Sequence, residues 1–380
     1  MLGIIKQMVK PVFLRMMKKY VEKQIEAERA HEEQIIMQNF RQIPLKTLTA
    51  KEKESVHRIW APLLDSREMS YNELELFKTY RGFDPRYLSH HVYLPLLARR
   101  INNYHYTKFF EHKSLLGHLS CGGIKFPYCF IRSIDHEYYD NEMHQLSQEE
   151  AVKLCLDHPV LIVKDSVDSS GGQGVEKVVL GDLPEKEKLA MLTRIFEERT
   201  KDFVVQEYIE QHKDMARFNR SSINTFRITT LYLNGTFSVL SIILRLGKRG
   251  MTVDNWGSGG IVVGVDKEGR LNGTGFDMNL HEFAEYNGVD FANTRVEQIP
   301  YILKAIEHEH LANFSLCKLI GWDVCIDSKN EPVVIEVNSS QPGVIGEQLC
   351  TGPIFGDRTE EVIEYCACKK FYYHRSMFMY

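Results

Sequence analysis

Two carboxylates and a side-chain amide near the end of the chain have the types and spacing of a magnesium site. Val, Ile and Trp alternate with other residues on both sides of the polar segment 328–331, which predicts a β-hairpin. With that segment as the turn, Asp323 lies opposite Glu336, and Asn338 shares their face. Opposed carboxylates repel by roughly 0.2–1 kcal/mol unless a cation lies between them. Magnesium takes oxygen ligands of this kind; the alternative is a surface hairpin with an acidic solvent face.

A lysine at the end of an apolar strand could meet phosphates. Residues 159–164 form that strand and end in Lys164, and a glycine- and serine-rich loop follows before a second strand at 175–180. This order is neither a Walker A loop nor a Rossmann fingerprint, because both of those patterns open a helix. The loop could close over phosphates with its backbone N–H groups while Lys164 supplies a charge. The alternative is an ordinary flexible hairpin. The loop residues concerned are Ser169, Ser170, Gly171 and Gly172.

A third stretch could hold a nucleotide base. Residues 203–205 are apolar and run into a polar and acidic end. Backbone groups between Glu207 and Ile209 could offer the donor and acceptor that an adenine edge needs, and Glu210 could accept hydrogen bonds from a ribose. The alternative is a strand that simply ends in glutamate. The candidate residues are Gln206, Glu207, Tyr208, Ile209 and Glu210.

Two arginines lie in a hairpin predicted over residues 223–246, with Asn234 and Gly235 as its turn. A two-residue turn pairs Arg227 with Ile242, which places Arg227 and Arg245 on opposite faces. Either a bulge intervenes or only one arginine reaches an anion. Buried arginine in a strand favours a phosphate or carboxylate partner.

The bulk properties exclude several classes of protein. With 47 basic and 51 acidic residues the net charge is -4, so we expect no nucleic-acid partner. The eight cysteines are scattered and form no paired C-x-x-C sets, which indicates reduced thiols. No apolar run approaches the roughly 20 residues that span a bilayer, and no signal peptide opens the chain. These features predict a cytoplasmic protein.

Residues 1–40 are predicted to form a basic helical arm, because apolar residues recur at helical spacing with basic residues between them. Segment 22–33 is charged and poor in apolar residues, so we expect an exposed extension there. Two alternatives remain for residues 1–24. They could make peripheral contact with an anionic membrane, at the inner membrane face, or pack on their own domain or on a partner.

The candidate residues, in their order along the chain, resemble the ATP-grasp superfamily. Those that carry the resemblance are Lys113, Lys164 with its glycine loop, residues 206–209, Arg227, Asp323, Glu336 and Asn338. Within residues 111–350, the segments 224–227, 245–247, 254–255 and 259–260 are similar to the sugar-transfer-associated ATP-grasp proteins. Those proteins are linked to cell-surface polysaccharide biosynthesis.

The resemblance implies an α+β fold in which two α+β subdomains sandwich ATP. The ATP-grasp domain would occupy residues 111–350, with its lid subdomain at about 130–210. Before it come the arm at 1–40 and a helical region at 41–110, and after it a C-terminal helix within 351–380. Many ATP-grasp enzymes begin instead with a small α/β domain, and that segment often helps to form the substrate site.

The resemblance also implies a role for each candidate in binding ATP. Lys113 and Lys164 would contact the α and β phosphates with the glycine loop. Glu207 and Ile209 would hold adenine, and Glu210 would take the ribose. The whole set is Lys113, Lys164, Ser169, Ser170, Gly171, Gly172, Gln206, Glu207, Tyr208, Ile209 and Glu210.

For catalysis the resemblance implies two magnesium ions. Asp323 and Glu336 would bind the metal, and Glu336 would bridge a second ion completed by Asn338. Either Arg227 or Arg245 would neutralise the transferred γ-phosphoryl group. With those two arginines, Asn255 completes the candidate catalytic set.

The predicted activity is ATP- and magnesium-dependent ligation of a carboxylate to an amine through an acyl phosphate, in the synthesis of a surface polysaccharide or glycan precursor. Its substrates would be small molecules, sugar-linked in one version of the hypothesis, and proteins of glycan synthesis would be its partners. Two other hypotheses stay open. One is a kinase of the same fold acting on a sugar or hydroxyl group, and the other is a noncatalytic nucleotide-binding scaffold at the membrane.

Overall fold

The computed structural model describes residues 2–40, 43–64, 67–120, 122–167, 174–250 and 254–369. Contacts divide the chain into two compact units, one made of residues 1–101 with 352–380 and the other of residues 102–351. Among the described residues, no helix has the length and apolar character needed to cross a membrane.

The first unit is helical. Its core contains Trp60, Phe77, Tyr93 and Leu96, all fully buried. Its N-terminal elements are α1 (Leu2–Phe40), α2 (Ala50–Leu64), α3 (Asn72–Arg81), α4 (His90–Val92), a π-helical segment Tyr93–Ala98, and α5 (Arg99–Ile101).

The middle of α1 is packed, which contradicts the expected exposed extension. Val21, Ile25 and Arg29 are 3%, 1% and 2% exposed. They recur every four residues and therefore form one face of the helix. Between them lie charged residues such as Glu26, which pairs with Arg67 at 2.7 Å. A single row of two apolar residues and one arginine thus packs this part of α1, although its overall composition is charged.

The second unit opens with α6 (Tyr104–Glu111) and α7 (Lys113–Leu119), then builds a six-stranded antiparallel sheet. Strand order is β3-β2-β1-β6-β4-β5. Apolar residues of the sheet, such as Ile131 and Val163, pack with Val152 and Phe196 from two helices. The elements are β1 (Cys129–Ile134), β2 (Glu137–Tyr139), β3 (Gln145–Leu146), α8 (Gln148–Cys155), β4 (Val160–Asp165), β5 (Glu176–Val179), α9 (Glu185–Glu198) and β6 (Phe203–Glu207).

A seven-stranded antiparallel sheet forms the rest of this unit, in the order β11-β10-β9-β8-β7-β14-β15, with a separate two-stranded β12-β13. Its strands are β7 (Thr225–Leu233), β8 (Thr236–Leu246), β9 (Ile261–Val265), β10 (Leu271–Phe276), β11 (Glu282–Phe283), β12 (Glu285–Tyr286), β13 (Val289–Asp290), β14 (Leu319–Ile326) and β15 (Pro332–Asn338). Its helices are α10 (Lys213–Ala216), a 3-10 turn Trp256–Ser258, α11 (Ile299–Ala312) and α12 (Ile345–Thr351). The chain returns to the helical unit through a 3-10 turn, Gly356–Arg358, and α13 (Thr359–Ala367).

A bulge decides where the two arginines of the β7–β8 hairpin point. Asn234 and Gly235 form the turn with φ of 49° and 77°, the left-handed values that a two-residue hairpin turn requires. The register then shifts by one residue between Thr229 and Thr230. As a result Arg227 pairs with Ile243, not with Ile242, and Arg245 pairs with Thr225. The two arginines therefore share one face, as the bulge alternative requires.

A second bulge lies in the β14–β15 hairpin. Asp327 begins the turn instead of pairing with Pro332, and its carboxylate accepts the N–H groups of Lys329 and Glu331 at 3.0 and 2.9 Å. The predicted four-residue turn is therefore wrong by one residue, and Cys325 pairs with Val333. The register shift that follows restores the predicted pairing of Asp323 with Glu336.

Candidate active site

Asp323 is the centre of a buried ion-pair network on the seven-stranded sheet. Arg227, directly across the β7–β14 pair, donates to both of its carboxylate oxygens. Arg245 donates to the same carboxylate at 3.2 Å and to Asp254 at 2.8 Å. Thr225 donates to the other oxygen of Asp254. Two guanidinium groups and two carboxylates thus alternate across three neighbouring strands and the loop after β8.

Burial and charge oppose each other in this network. Burial by itself raises the pKa of Asp323, but Arg227 and Arg245 outweigh burial and hold that pKa below its ordinary value. Burial likewise lowers the pKa of Arg227, yet Asp323 raises it above the usual range. Asp323, Arg227 and Arg245 therefore stay charged at neutral pH, since each ionised group stabilises the next.

Two members of this network, Thr225 and Asp254, lie in segments that carry the resemblance but were assigned no role from the sequence. Thr225 lies two residues before Arg227 on one strand, so period-2 alternation would have placed both on one face. Asp254 precedes the candidate Asn255. The carbonyl of Asn255 accepts the N–H of Gly260 at 3.3 Å, which closes the loop around the 3-10 turn.

Two lysines converge near Glu336. Lys113, at the first position of α7, pairs with Glu336 at 2.9 Å. Lys164, from β4 of the other sheet, donates to the carbonyl of Ile335 at 3.1 Å. Burial, with a further contribution from Lys113, lowers the pKa of Lys164 to about 8. Ile335 is the bulged residue, which has no partner in β14. Its carbonyl can therefore accept a hydrogen bond from Lys164.

A cavity of about 280 Å³ opens beside these lysines. Lys113, Lys164 and Gln206 line it on its polar side. Its apolar lining includes Leu116, Ile124, Phe126 and Pro127. A cavity lined by both cationic and apolar side chains suits a ligand that has an anionic part and a flat, apolar part.

Of the five candidates at the end of β6, Gln206 alone lines this cavity. The N–H of Glu207 donates to Tyr128 at 2.9 Å and its carboxylate accepts from Tyr128 at 2.8 Å. Ile209 packs against Cys325 and Val333.

The other two candidates point elsewhere. Tyr208 lies under the ammonium of Lys177 at 4.0 Å. Glu210 lines a separate cavity with Lys213 and Arg220.

The candidate phosphate loop, with Ser169, Ser170, Gly171 and Gly172, lies outside the described residues. Its two ends are described and share one cation. Arg199 donates to Asp165 at 2.8 Å and to the carbonyl of Gly174 at 3.2 Å. Gly174 has φ of +73°, and a Cβ there would lie 2.6 Å from Asp165. Both facts require glycine at this end of the loop.

The donor set on β14 and β15 fits magnesium in kind. Asp323 and Glu336 are paired across the strands, and the side-chain nitrogen of Asn338 lies 3.5 Å from a carboxylate oxygen of Asp323. The two ends of an amide are assigned from contacts, so Asn338 can turn its oxygen toward a cation. Two carboxylates and an amide oxygen are ligands that magnesium accepts. The cation would share Asp323 with two guanidinium groups and Glu336 with Lys113.

A different group, Asp140, Glu142 and His144, also brings ligand atoms within 4.8 Å of one another. Asp140 accepts the backbone N–H groups of the other two at 2.9 and 2.8 Å, and its second oxygen bonds the His144 ring at 3.0 Å. The same contacts recur between Asp277 and His281. We therefore interpret both groups as hairpin turns.

The α+β fold with two antiparallel sheets agrees with the fold that the resemblance to the ATP-grasp superfamily implies. Residues 96–364 match the family described as sugar-transfer associated ATP-grasp. The chain belongs to this family. No curated protein matches the chain.

Several solved structures resemble this one at low identity. D-alanyl-alanine synthetase A from Vibrio cholerae O1 biovar eltor str. N16961 has a TM-score of 0.39 and 11% identity over 71% of this chain and 66% of its own. An L-amino acid ligase from Bacillus licheniformis has a TM-score of 0.36 and 15% identity over 84% of this chain and 61% of its own. N5-carboxyaminoimidazole synthetase from Staphylococcus aureus complexed with ADP has a TM-score of 0.36 and 12% identity over 63% and 46%. The chain thus spans less than two thirds of the length of each.

Proposed function

We propose that this protein is an ATP- and magnesium-dependent carboxylate–amine ligase. One observation supports this most. Lys113, from the start of α7, and Lys164, from the six-stranded sheet, meet Glu336 and its neighbour Ile335 on the seven-stranded sheet. Cations thereby lie beside the candidate metal ligands, and both lysines line a cavity that also has apolar side chains in its lining. A triphosphate with its magnesium is complementary to that arrangement.

The proposed chemistry proceeds in two steps. A carboxylate oxygen of the first substrate attacks the γ-phosphorus of ATP, which forms an acyl phosphate and releases ADP. The amine nitrogen of the second substrate then attacks the acyl carbon, so that a C–N bond forms, the C–O bond to phosphate breaks and one proton leaves the nitrogen. Phosphorylation is needed because oxide is a poor leaving group and phosphate a good one.

The chain's own residues would hold charge in place during these steps. Lys113 and Lys164 would bind the nonreacting phosphates, and Arg227 or Arg245 would face the transferred phosphoryl group. Asp323, Glu336 and Asn338 would hold magnesium, which when bound neutralises charge on the phosphoryl oxygens. Prepositioned cations of this kind supply much of the catalysis in phosphoryl transfer.

The family description supports a more specific substrate class. It associates these proteins with sugar transfer, so we infer that one substrate is a sugar-linked carboxylate or amine of a surface polysaccharide or glycan precursor. In the helical unit, Arg15, Met16, Lys19 and Tyr20 of α1 are exposed. That basic and apolar surface suits an anionic membrane or a partner protein equally.

The proposal is tested by product analysis together with one variant. Purified protein is incubated with ATP, magnesium and panels of carboxylates and amines, and products are identified by mass spectrometry. We expect amide formation only when both acceptors are present. Glu336→Gln should reduce magnesium-dependent turnover by about 100-fold or more, because the amide removes the charge that binds the metal. Glu331→Gln, at an exposed position in the turn of the same hairpin, is the matched control.

Each other outcome has a definite meaning. A stable phosphate ester of a hydroxyl substrate, formed without any amine, would indicate a kinase. Nucleotide binding with no product from any panel would favour a scaffold. A folded Glu336→Gln protein with the turnover of the control would refute the metal assignment.

A further inference from the structure

The turn that directly follows β15 is bound by a single carboxylate. The N–H groups of Ser339 and Ser340 donate to one oxygen of Glu111 at 2.7 and 2.5 Å. The hydroxyl of Ser340 donates to the other oxygen at 2.7 Å. Ser339 is completely buried. Glu111, the last residue of α6, therefore fixes the two residues that come immediately after Asn338.

Asn102 joins the same turn to the N-terminal end of β14. Its side-chain nitrogen donates to the carbonyls of Ser339 and Leu319, both at 2.6 Å. Its oxygen accepts the N–H groups of Lys318 and Leu319 at 2.6 and 3.1 Å. An amide side chain has two N–H donors and an oxygen with two lone pairs, so Asn102 uses its full capacity here. It is 3% exposed.

The segment 102–113 thus holds β15 on both sides of Asn338. Before Asn338, Lys113 pairs with Glu336. After it, Asn102 and Glu111 hold the turn. A shift of the turn would move the Asn338 side chain relative to Asp323, because the two lie on adjoining strands.

We propose that Glu111 and Asn102 are positioning residues that set the place of Asn338 for magnesium. This inference rests on the proposed function, since it assigns Asn338 to the metal. Glu111 acts through the turn at Ser339 and Ser340 and contributes no ligand itself. Residues that orient metal ligands in this way commonly change metal affinity by 10–100-fold when they are replaced.

A purely structural role makes a different prediction. If Glu111 only stabilised the fold, its loss would lower the melting temperature and leave the magnesium dependence of nucleotide binding unchanged. The decisive quantity is therefore the magnesium concentration at which nucleotide affinity reaches half of its full increase. Nucleotide affinity is also measured in the absence of magnesium, as a control for direct effects of the variant on nucleotide binding.

The experiment titrates a nonhydrolysable ATP analogue by calorimetry at a series of magnesium concentrations. In Glu111→Ala we expect the magnesium midpoint to rise about tenfold, with unchanged affinity for the analogue in metal-free buffer. In Glu111→Gln the midpoint should stay near that of the wild type, because the remaining carbonyl oxygen can accept both serine N–H groups. Glu307→Ala, an exposed position on α11, controls for the loss of a carboxylate.

The outcomes separate this inference from the proposed function. If magnesium has no effect on analogue binding by the wild type, the proposed function fails and the inference falls with it. If the wild type responds and a folded Glu111→Ala protein has the same midpoint, the inference alone is overturned. Should Glu111→Ala not fold, Ser340→Ala removes only the hydroxyl bond. A midpoint raised two- to threefold in that variant supports the inference, and an unchanged midpoint overturns it.

Discussion

The two sheets of the second unit treat their charged residues in opposite ways. On the seven-stranded sheet, Arg227 and Arg245 are both paired with carboxylates, so their charges are neutralised within the sheet. On the six-stranded sheet, Lys164 is 8% exposed and donates to a neutral carbonyl. One sheet therefore uses buried charge to join its own strands, whereas the other presents a cation that burial disfavours.

The difference indicates where a bound anion would stabilise the protein most. A phosphate that binds near Lys164 would relieve the cost of a buried ammonium group, so binding and stability should be coupled there. Near Asp323 the cations already have partners. An anion at that place would have to compete with a carboxylate, which favours a group that arrives together with a metal ion.

The largest expected effect comes from breaking the neutralised network. Asp323→Asn removes the charge that Arg227 and Arg245 share, while both guanidinium groups stay buried. Removal of one partner from a buried ion pair typically costs about 3–5 kcal/mol. We expect the free energy of unfolding, from urea titration, to fall by that amount.

Asp182→Asn, at an exposed position of the six-stranded region, is the matched control and should have no measurable effect. If the free energy of unfolding of Asp323→Asn lies within about 1 kcal/mol of the wild-type value, the network does not stabilise the sheet.

An opposite effect is expected on the other sheet. Lys164→Met replaces a buried ammonium group with an apolar side chain of similar length, so it should raise the free energy of unfolding at neutral pH by about 1–2 kcal/mol. Because the pKa of Lys164 is lowered to about 8, the folded state takes up its proton only below that pH. The gain should therefore be present at pH 7 and vanish as the pH rises through 8 toward 10.5, where the unfolded lysine also becomes neutral.

Nucleotide affinity of the same Lys164→Met variant should fall by about tenfold or more, since a phosphate loses its cation. Stability and binding are measured by chemical unfolding and by calorimetry on the same sample. Lys177→Met, on the neighbouring strand β5, tests whether any lysine of this sheet gives the same result. A Lys164→Met protein that is less stable and binds nucleotide normally would remove Lys164 from the site.

The sequence predicted both hairpins and the Asn234–Gly235 turn, because turn residues and strand alternation are local signals. It could not predict the bulges. The shift in β8 adds one residue with no signature of its own, yet it brings Arg245 to the face of Arg227. The shift in β15 corrects an error in the turn and leaves Asp323 opposite Glu336. Register could thus be inferred from sequence next to the Asn234–Gly235 turn but not next to the turn that Asp327 begins, and the position of neither bulge could be predicted.

The contacts missed in sequence analysis join distant parts of the chain. Asn102 and Ser339 are 237 positions apart, and no pattern within either segment indicates the other. The Asp327 turn is different, because a local signal was present. Asp140, Asp266 and Asp277 each accept the N–H groups of the residues two and four positions later in their own turns. An aspartate at the end of a strand therefore indicated the turn residue.

A smaller change in stability is expected when the pH of the wild-type protein is lowered. It should weaken the seven-stranded sheet before the six-stranded one. Behind the seven-stranded sheet, the indole N–H of Trp322 donates to Thr230 at 2.8 Å, and Thr230 bonds the ring nitrogen Nδ1 of His310 at 2.9 Å. The other ring nitrogen of His310 bonds the carbonyl of Cys317 at 2.9 Å. A carbonyl only accepts, so that nitrogen carries a proton, and in the neutral ring Nδ1 accepts from the hydroxyl of Thr230. Burial disfavours the second proton that would charge the ring.

Burial lowers the pKa of His310 from 6.5 to about 4. Between these two pH values the unfolded state therefore binds a proton on His310 that the folded state does not bind. The stability contributed by His310 is fully present above pH 6.5 and is lost as the pH falls toward 4. Between pH 7 and 5.5 we expect a loss of about 1 kcal/mol in the free energy of unfolding. Hydrogen exchange at pH 5.5, corrected for intrinsic rates, should report weaker protection in β7 and β14 before β4 and β6. His310→Gln should flatten this pH dependence, whereas His281→Gln, at a ring that is 70% exposed, should leave it unchanged. Equal loss of protection in both sheets would show that acid acts elsewhere.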